Sequence, residues 1–281
     1  MRRIELPEIH DHPAFPGFLR DHVTDVLETL WNSTGTYRPI LSRLKSALEQ
    51  ADTHSVLDLC SGGGGPWLSL GRELREAYGY RVDVSLSDRY PNQQAFTRAS
   101  DASCGNIRFE TLPVDATSVP HHLKGFRTIF SSFHHFAPPY ARAILRDAAL
   151  NGRGIAIFEV AQRRLITVLM IFAMPLLVLA LVPFMRPFRW QRLFWTYLVP
   201  VIPFVLWFDG LVSCLRSYSR VELEELAQSE SAEDYTWRVG LAGTGRLRVT
   251  YLIGCPLIPT LRESAVIHNA ESALEAEGVH Q

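Results

Sequence analysis

The sequence predicts a doubly wound α/β fold, a mostly parallel sheet covered by helices on both faces. Three observations predict it. Five short apolar runs of five to seven residues alternate with segments whose apolar residues recur every three or four positions. A four-glycine turn, Ser61-Gly62-Gly63-Gly64-Gly65-Pro66, follows the first of these runs directly. Near the C-terminal end two further alternating runs have no helical segment between them, which suits an antiparallel hairpin on the sheet edge.

The elements follow in order. Residues 1–15 are polar, carry two prolines and show no period, so an extended arm is expected. Phe18, Leu19, Val23, Val26, Leu27 and Leu30 share one face of a helix over 16–31, and Ile40, Leu41, Leu44 and Leu48 share one face of a second over 38–51. Ser55–Leu59 is a buried strand that runs into the glycine turn. Pro66 is suited to open the next helix, to about Ala77, because a first-turn N–H has no intrahelical partner to lose. Strands are expected at 81–87, 107–112, 127–132 and 154–160, with helices at 92–100 and 139–150 between them. Apolar strands joined through helices imply parallel pairing by right-handed crossovers. Ser219 and Glu222 have capping-box spacing and open a helix to about Gln228. Strands at 235–241 and 247–253 form the terminal hairpin, and the tail from about Arg262 is polar.

Composition narrows the function. With 28 Lys+Arg against 29 Asp+Glu the net charge is −1, which argues against a dedicated nucleic-acid binder. Four cysteines lack paired short spacings, so neither a zinc ribbon nor a disulfide scaffold is expected. The start has no apolar signal core, so the bulk of the chain is expected to stay in the cytoplasm.

The glycine turn is the first candidate site. Glycines reach positive φ and let backbone approach a ligand, while the following helix start attracts negative charge. Asp58 lies in the strand before it. Asp88 ends the second strand, where a carboxylate can accept hydrogen bonds from ribose hydroxyls, and Asp115 follows the third. A P-loop is excluded because no Gly-Lys-Ser/Thr follows, and the Pro66-Trp67 helix start crowds the pyrophosphate site that a dinucleotide needs.

With these residues in place the chain resembles the class I S-adenosylmethionine-dependent methyltransferases. Their first motif, apolar, acidic, apolar, Gly-x-Gly-x-Gly, is matched by Leu57, Asp58, Leu59, Cys60, Ser61, Gly62, Gly63 and Gly64. Their second-strand acid is matched by Asp88, their acid after strand three by Asp115, and their terminal hairpin by 235–253. The resemblance covers about 35–160 and 215–256 and implies a Rossmann-like sheet, S-adenosyl-L-methionine as cofactor and a methyltransferase activity. It implies donor-binding roles for Asp58, Cys60, Ser61, Gly62, Gly63, Gly64, Asp88, Arg89, Asp115, Ala116 and Ser131, and a lid role for Tyr37 and Arg38. Two departures stand out: Cys60 replaces the usual first glycine, and Arg127 stands where many relatives carry an acid.

In such a fold the end of strand four faces the transferred methyl. Here it reads Ser131-Ser132-Phe133-His134-His135-Phe136, so His134 or His135 is the candidate general base, imidazole titrating near neutral pH. Glu159, ending strand five, orients substrate or pairs with an arginine. His10-Asp11-His12 has no third spaced ligand set, so no metal is expected there and the segment reads as part of the polar arm.

One segment fits no soluble core. Residues 165–185 run 21 positions without a charge, and after Arg186, Arg189 and Arg192 a second uncharged run fills 193–208. The first would span roughly 31 Å as a helix, about the hydrocarbon thickness. However, the strands on either side belong to one sheet, so both ends lie on one membrane face. Pro175, Pro200 and Pro203 favour a kinked hairpin in one leaflet, with the arginines and Trp190, Trp195 and Trp207 at headgroup level. A buried subdomain or a dimer interface is the alternative.

The expected organisation is therefore an arm and helical cap (1–50), a core (51–164 and 215–258), a hydrophobic membrane-associated hairpin (165–214) and a polar tail (259–281). The expected function is methyl transfer to a small-molecule or lipid acceptor at the cytoplasmic face of a membrane, reached through residues 165–208. A donor-binding, non-catalytic membrane adaptor is the rival reading.

Overall fold

The computed structural model describes residues 3–230, 234–244 and 248–257, so the expected polar tail lies outside the described residues. Seven strands form one sheet in the order β3-β2-β1-β4-β5-β7-β6. β1 (Ser55–Leu59), β2 (Asp83–Leu86), β3 (Ile107–Phe109), β4 (Phe126–Phe130) and β5 (Ile155–Glu159) are parallel. β7 (Val249–Pro256) runs antiparallel between β5 and β6 (Tyr235–Ala242). The doubly wound sheet and its C-terminal hairpin are as the sequence pattern predicts. β3 is shorter than expected: Leu112, assigned to it from hydropathy, is 75% exposed on the connection that follows.

β4 and β5 are buried at every position, the signature of central parallel strands. On one face α2 (Leu41–Gln50), α3 (Trp67–Tyr78) and α4 (Gln93–Ala102) pack with Val56, Phe126 and Phe158. On the other face α5 (Pro138–Leu150) and α9 (Arg220–Ser229) pack with Leu57, Ile129 and Ile157. The capping box opening α9 is formed: Glu222 N–H donates to Ser219 Oγ at 3.3 Å, and Ser219 N–H to Glu222 Oε2 at 2.7 Å.

A third core joins the N-terminal cap to the insertion. α1 (Gly17–Thr34) contributes Val23 and Val26, and α6 (Leu165–Leu181) and α8 (Val201–Arg216) contribute Val178, Ile202, Val205 and Leu206. The insertion is two helical arms packed against each other, but two details differ from expectation. Pro175 does not break α6, which continues through it and by a short 3-10 turn to Phe184. The second arm does bend where Pro200 predicts, by 71° between Trp190–Leu198 and Val201–Arg216. Arg189 and Arg192 do not project outward: they lie 3.5 and 3.8 Å from Asp25 of α1, and Arg192 is buried, donating to the carbonyl of Pro187 at 2.6 Å. Burying the Arg192 cation is tolerable because a carboxylate and carbonyl oxygens receive it.

The N-terminal segment is not a free polar arm either. Ile4 N–H donates to Leu215 O, and residues 8–11 dock between the end of β4 and α8. That docking builds half of the candidate site.

Candidate active site at the carboxyl ends of the strands

The glycine turn is assembled by local backbone geometry. Cys60 (φ 57°), Gly62 (φ 55°), Gly64 (φ 113°) and Gly65 (φ 61°) are all left-handed, which folds the backbone into a tight turn that glycine adopts without strain. Gly63 is required for a different reason: a Cβ there would stand 2.6 Å from the carbonyl oxygen of Thr24. Helix α1 therefore lies directly on the turn. Asn32 fastens it, donating to Gly65 O at 3.0 Å and accepting Ser69 N–H at 2.8 Å.

The two acids flanking the turn have separate tasks. Asp58 is buried and accepts from Ser61 Oγ at 2.7 Å and Thr128 Oγ1 at 2.6 Å. Burial pushes its carboxyl up to about 6, these hydroxyls working the other way. It braces the turn from below. Asp88 is half-buried at the rim, with Oδ2 accepting Gly62 N–H at 2.7 Å and Oδ1 accepting Tyr90 N–H at 2.8 Å. Asp115 is exposed after β3, held by Thr117 N–H and Oγ1 at 2.8 and 2.6 Å. Arg89 is exposed beside Asp88, and Ala116 is buried beneath Asp115. Ser131 (φ 44°), at the end of β4, bonds the Tyr37 hydroxyl at 2.6 Å.

These residues line the ends of β1, β2, β3 and β4, with glycine-turn backbone on one side and carboxylates on the other. That donor set fits a ligand with ribose hydroxyls. The lid assignment for Tyr37 and Arg38 does not hold. Tyr37 is 1% exposed and packed on Phe130, whereas Arg38 is at the surface near Glu73. Helix α1 occupies the covering position instead. Arg127 is explained by its partner: it is buried and pairs with Asp147 of α5 at 2.6 Å.

Past this cradle lies a second cluster. After β4 a 3-10 turn, Phe133–His135, sets two histidines side by side, their rings 4.4 Å apart. His134 donates from Nδ1 to Glu159 Oε2 at 2.6 Å, and Glu159 Oε1 accepts Phe133 N–H at 2.7 Å, so Glu159 fixes the loop. His135 bonds through Nδ1 to Asp11 Oδ2 at 2.6 Å. His10 bonds through Nδ1 to Asp209 Oδ2 at 2.7 Å, and Asp209 Oδ1 accepts Ile9 N–H at 2.7 Å. Glu8 sits in the centre, 2% exposed, with Arg216 Nη1 3.9 Å from its carboxylate.

The charges support one another. Burial opposes ionisation of Glu8, yet His135, His134 and His10 outweigh it and hold the carboxyl at about 2. Burial likewise opposes protonation of His134, but Glu159 and Glu8 prevail and raise it to about 10. His134 is thus a buried cation locked between two carboxylates, unsuited to receive a proton. His135 is more open to the cleft. Among the sequence-derived candidates, His134, His135 and Glu159 come together here. Glu8, Asp209 and Arg216 were missed because no local spacing links them. The one available signal was the density of His and acidic residues at 8–12.

The sequence matches no protein-family model and no curated protein. Among solved structures, human N-acetylserotonin methyltransferase in complex with SAM matches with a TM-score of 0.51 and 14% identity, over 86% of this chain and 57% of that one. A putative O-methyltransferase from Nostoc punctiforme matches with a TM-score of 0.50 and 10% identity, over 90% of this chain and 64% of that one. The chain therefore spans less than two thirds of the length of these structures, and it has the fold of the class I S-adenosylmethionine-dependent methyltransferases.

Proposed function

We propose that the chain is an S-adenosylmethionine-dependent methyltransferase acting on a small lipophilic acceptor, through a hydroxyl oxygen. One observation carries the reading: a ribose-competent carboxylate, Asp88, sits on a left-handed glycine turn directly beside a built cluster of histidines and carboxylates. The donor cradle and the proton-handling groups occupy adjacent strand ends. The two structures with which the fold is shared are described as a methyltransferase with SAM and a putative O-methyltransferase.

The donor supplies the methyl group on a sulfonium. The residues around it align the acceptor oxygen in line and exclude water, the main sources of rate in such transfers. Asp88 and the close-approaching backbone of the glycine turn would hold the donor, and Asp58 holds the turn. The cluster of Glu8, His10 and His135 takes charge of the acceptor's proton, with His134 and Glu159 fixing its frame. Conversion of donor to S-adenosylhomocysteine in the presence of a membrane lipid extract, with the product identified by mass, tests this. Donor binding without turnover across such extracts would instead establish a non-catalytic adaptor.

The lipophilic acceptor and a place at a membrane surface rest on the insertion. Residues 165–184 form a 20-residue helix with mean hydropathy 2.9, only 17% of it buried. Leu165, Leu169, Phe172 and Leu176, spaced as one helix face, are 55–76% exposed. So much contiguous apolar surface is unfavourable in water. Because Arg189 and Arg192 fold back onto Asp25, the turn of the hairpin stays with the domain rather than beyond a bilayer. The hairpin accordingly lies flat in one leaflet. The chain should float with lipid vesicles and resist release by 1 M salt, whereas Leu169→Glu with Leu176→Glu should release it. A water-soluble dimer of the intact chain would mean that this face joins two copies.

A further inference from the structure

We infer that Glu8, His10 and His135 form a binding site for one divalent first-row transition cation, zinc in class, at the acceptor end of the cleft. The ligand atoms of these three residues all lie within 4.8 Å of one another. Two nitrogens and one carboxylate oxygen are the donor set of open zinc sites, which keep a further position free.

The spacing around Glu8 supports this. His135 Nε2 is 3.7 Å and His10 Nδ1 3.8 Å from Glu8 Oε2. Neither imidazole makes a well-formed hydrogen bond to the carboxylate they share. Ligand atoms about 2.0–2.2 Å from a tetrahedral ion stand roughly 3.3–3.5 Å apart, so an ion needs to draw these nitrogens in by only a few tenths of an ångström. The second sign is an orphan: His134 Nε2, in a side chain 2% exposed, faces Glu8 without a hydrogen-bond partner.

The outer groups are those a metal site requires. A ligating imidazole typically gives its other nitrogen to a carboxylate, which fixes the tautomer and raises its basicity. Here Asp11 takes Nδ1 of His135, leaving its Nε2 for the ion, and Asp209 holds His10 by the Nδ1 that stands 3.8 Å from Glu8 Oε2. Four carboxylates, Glu8, Asp11, Glu159 and Asp209, surround the cluster, against Arg216 as the guanidinium within 4 Å of Glu8 and Asp11. A divalent ion offsets most of that excess, displacing the protons that the imidazoles otherwise hold. With the ion in place an acceptor hydroxyl in the open position would ionise more readily and lose its proton to solvent, so that the three residues would promote its deprotonation as ligands of the ion rather than by accepting the proton themselves.

The inference uses the methyltransferase reading only to say what the ion does; its test needs neither donor nor acceptor. The full-length chain, free of any affinity tag and stripped with chelator, is titrated with Co²⁺ and followed by its visible absorption. One equivalent should bind, and Zn²⁺ should displace it. Glu8→Gln and His10→Ala should each weaken binding about tenfold or more, and Asp209→Asn about 10–100-fold. Replacing the surface pair His121 and His122 by Ala should change nothing. Substoichiometric binding to the wild-type chain, or binding lost with His121 and His122 but kept without His10, overturns the site. Wild-type stoichiometry decides the question even where a variant fails to fold. Intact calorimetric binding of S-adenosylmethionine in a chain that ignores Co²⁺ would refute the metal alone and leave the methyltransferase reading standing.

Discussion

The two ends of the cleft are built on opposite principles. The donor end is local: Asp58 and the turn to Gly65 are consecutive, and Asp88 reaches them from the neighbouring strand through a single bond to Gly62 N–H. The acceptor end is composite: Glu8, His10 and Asp11 come from the N-terminal segment, His134 and His135 from the turn after β4, Glu159 from β5, and Asp209 and Arg216 from α8. A ligand common to a fold can be held by backbone shape, which tolerates little change in sequence. A ligand particular to one protein is met by side chains, which can be borrowed from wherever the chain passes.

The largest effect expected from this division is on turnover. His135→Ala should lower the rate about 10²–10⁴-fold, the usual worth of a positioned proton-handling group. Donor affinity should stay within about threefold, because no donor-cradle bond involves this side chain. Single-turnover kinetics beside calorimetry checks both numbers. A matched fall in donor affinity would show that the two ends are one unit, and the contrast drawn above would fail.

The donor end should reveal itself through stability instead. Asp58 ionises near 6 in the fold against an ordinary value of 3.8. A carboxyl whose folded pKa is raised stabilises the fold fully below its unfolded value and loses that contribution as pH rises through the folded value. The difference, at 1.36 kcal/mol per pH unit, corresponds to about 3 kcal/mol lost between pH 4 and 7. Asp58→Asn should remove that slope, read as a smaller change in thermal midpoint between pH 5 and 7.5. An unchanged slope in the variant would mean that Asp58 is ionised throughout.

The same difference explains what could be read in advance. The alternation of apolar runs with helical periods, the glycine turn and the capping box all act within a few residues, and they anticipated the sheet, its terminal hairpin and the place of the glycine turn beside Asp88 at the strand ends. His134, His135 and Glu159 were visible because they end strands. Glu8 and Asp209 were not, since nothing local says that residue 8 will lie beside residue 135 and that residue 10 will meet residue 209. Tyr37 was misjudged for a related reason: an aromatic next to the core looks like a lid until its hydroxyl is found inside, on Ser131. Pro175 looked like a break, but proline removes only one N–H bond, and packing against α8 keeps α6 straight enough to pass it.

A smaller effect sharpens the role of Asp88. Asp88→Ala should weaken donor binding by about 1–3 kcal/mol, as expected for a lost charge-assisted hydrogen bond. Part of that loss is indirect, since Gly62 N–H then has no carboxylate to hold it. Asp88→Asn separates the two contributions: its amide oxygen can still accept from Gly62 but meets one ribose hydroxyl less well. The asparagine variant should therefore fall between wild type and alanine in calorimetric affinity. Equal affinity in all three would remove Asp88 from the donor site.

The smallest expected effect lies at Cys60, where the turn departs from the glycine pattern. At φ 57° a residue with a side chain is strained by roughly 1–2 kcal/mol, a cost that glycine avoids. Cys60→Gly relieves that strain, but it loosens the unfolded chain by about 0.5–1 kcal/mol and removes a half-buried thiol packed against the α5 side of the sheet. The opposing contributions nearly cancel, so stability should change by no more than about 1 kcal/mol, a few degrees in thermal midpoint at most. Donor affinity should not fall, because the backbone keeps its course. Gly62→Val is the opposing case: a β-branched side chain at φ 55° is strained, and its Cβ already stands 3.5 Å from Thr24 Cγ2, leaving the further methyls no slack. It should cost more than either change at Asp88. If Cys60→Gly instead proved as damaging as Gly62→Val, the donor end would depend on a side chain after all, and backbone shape alone would no longer account for it.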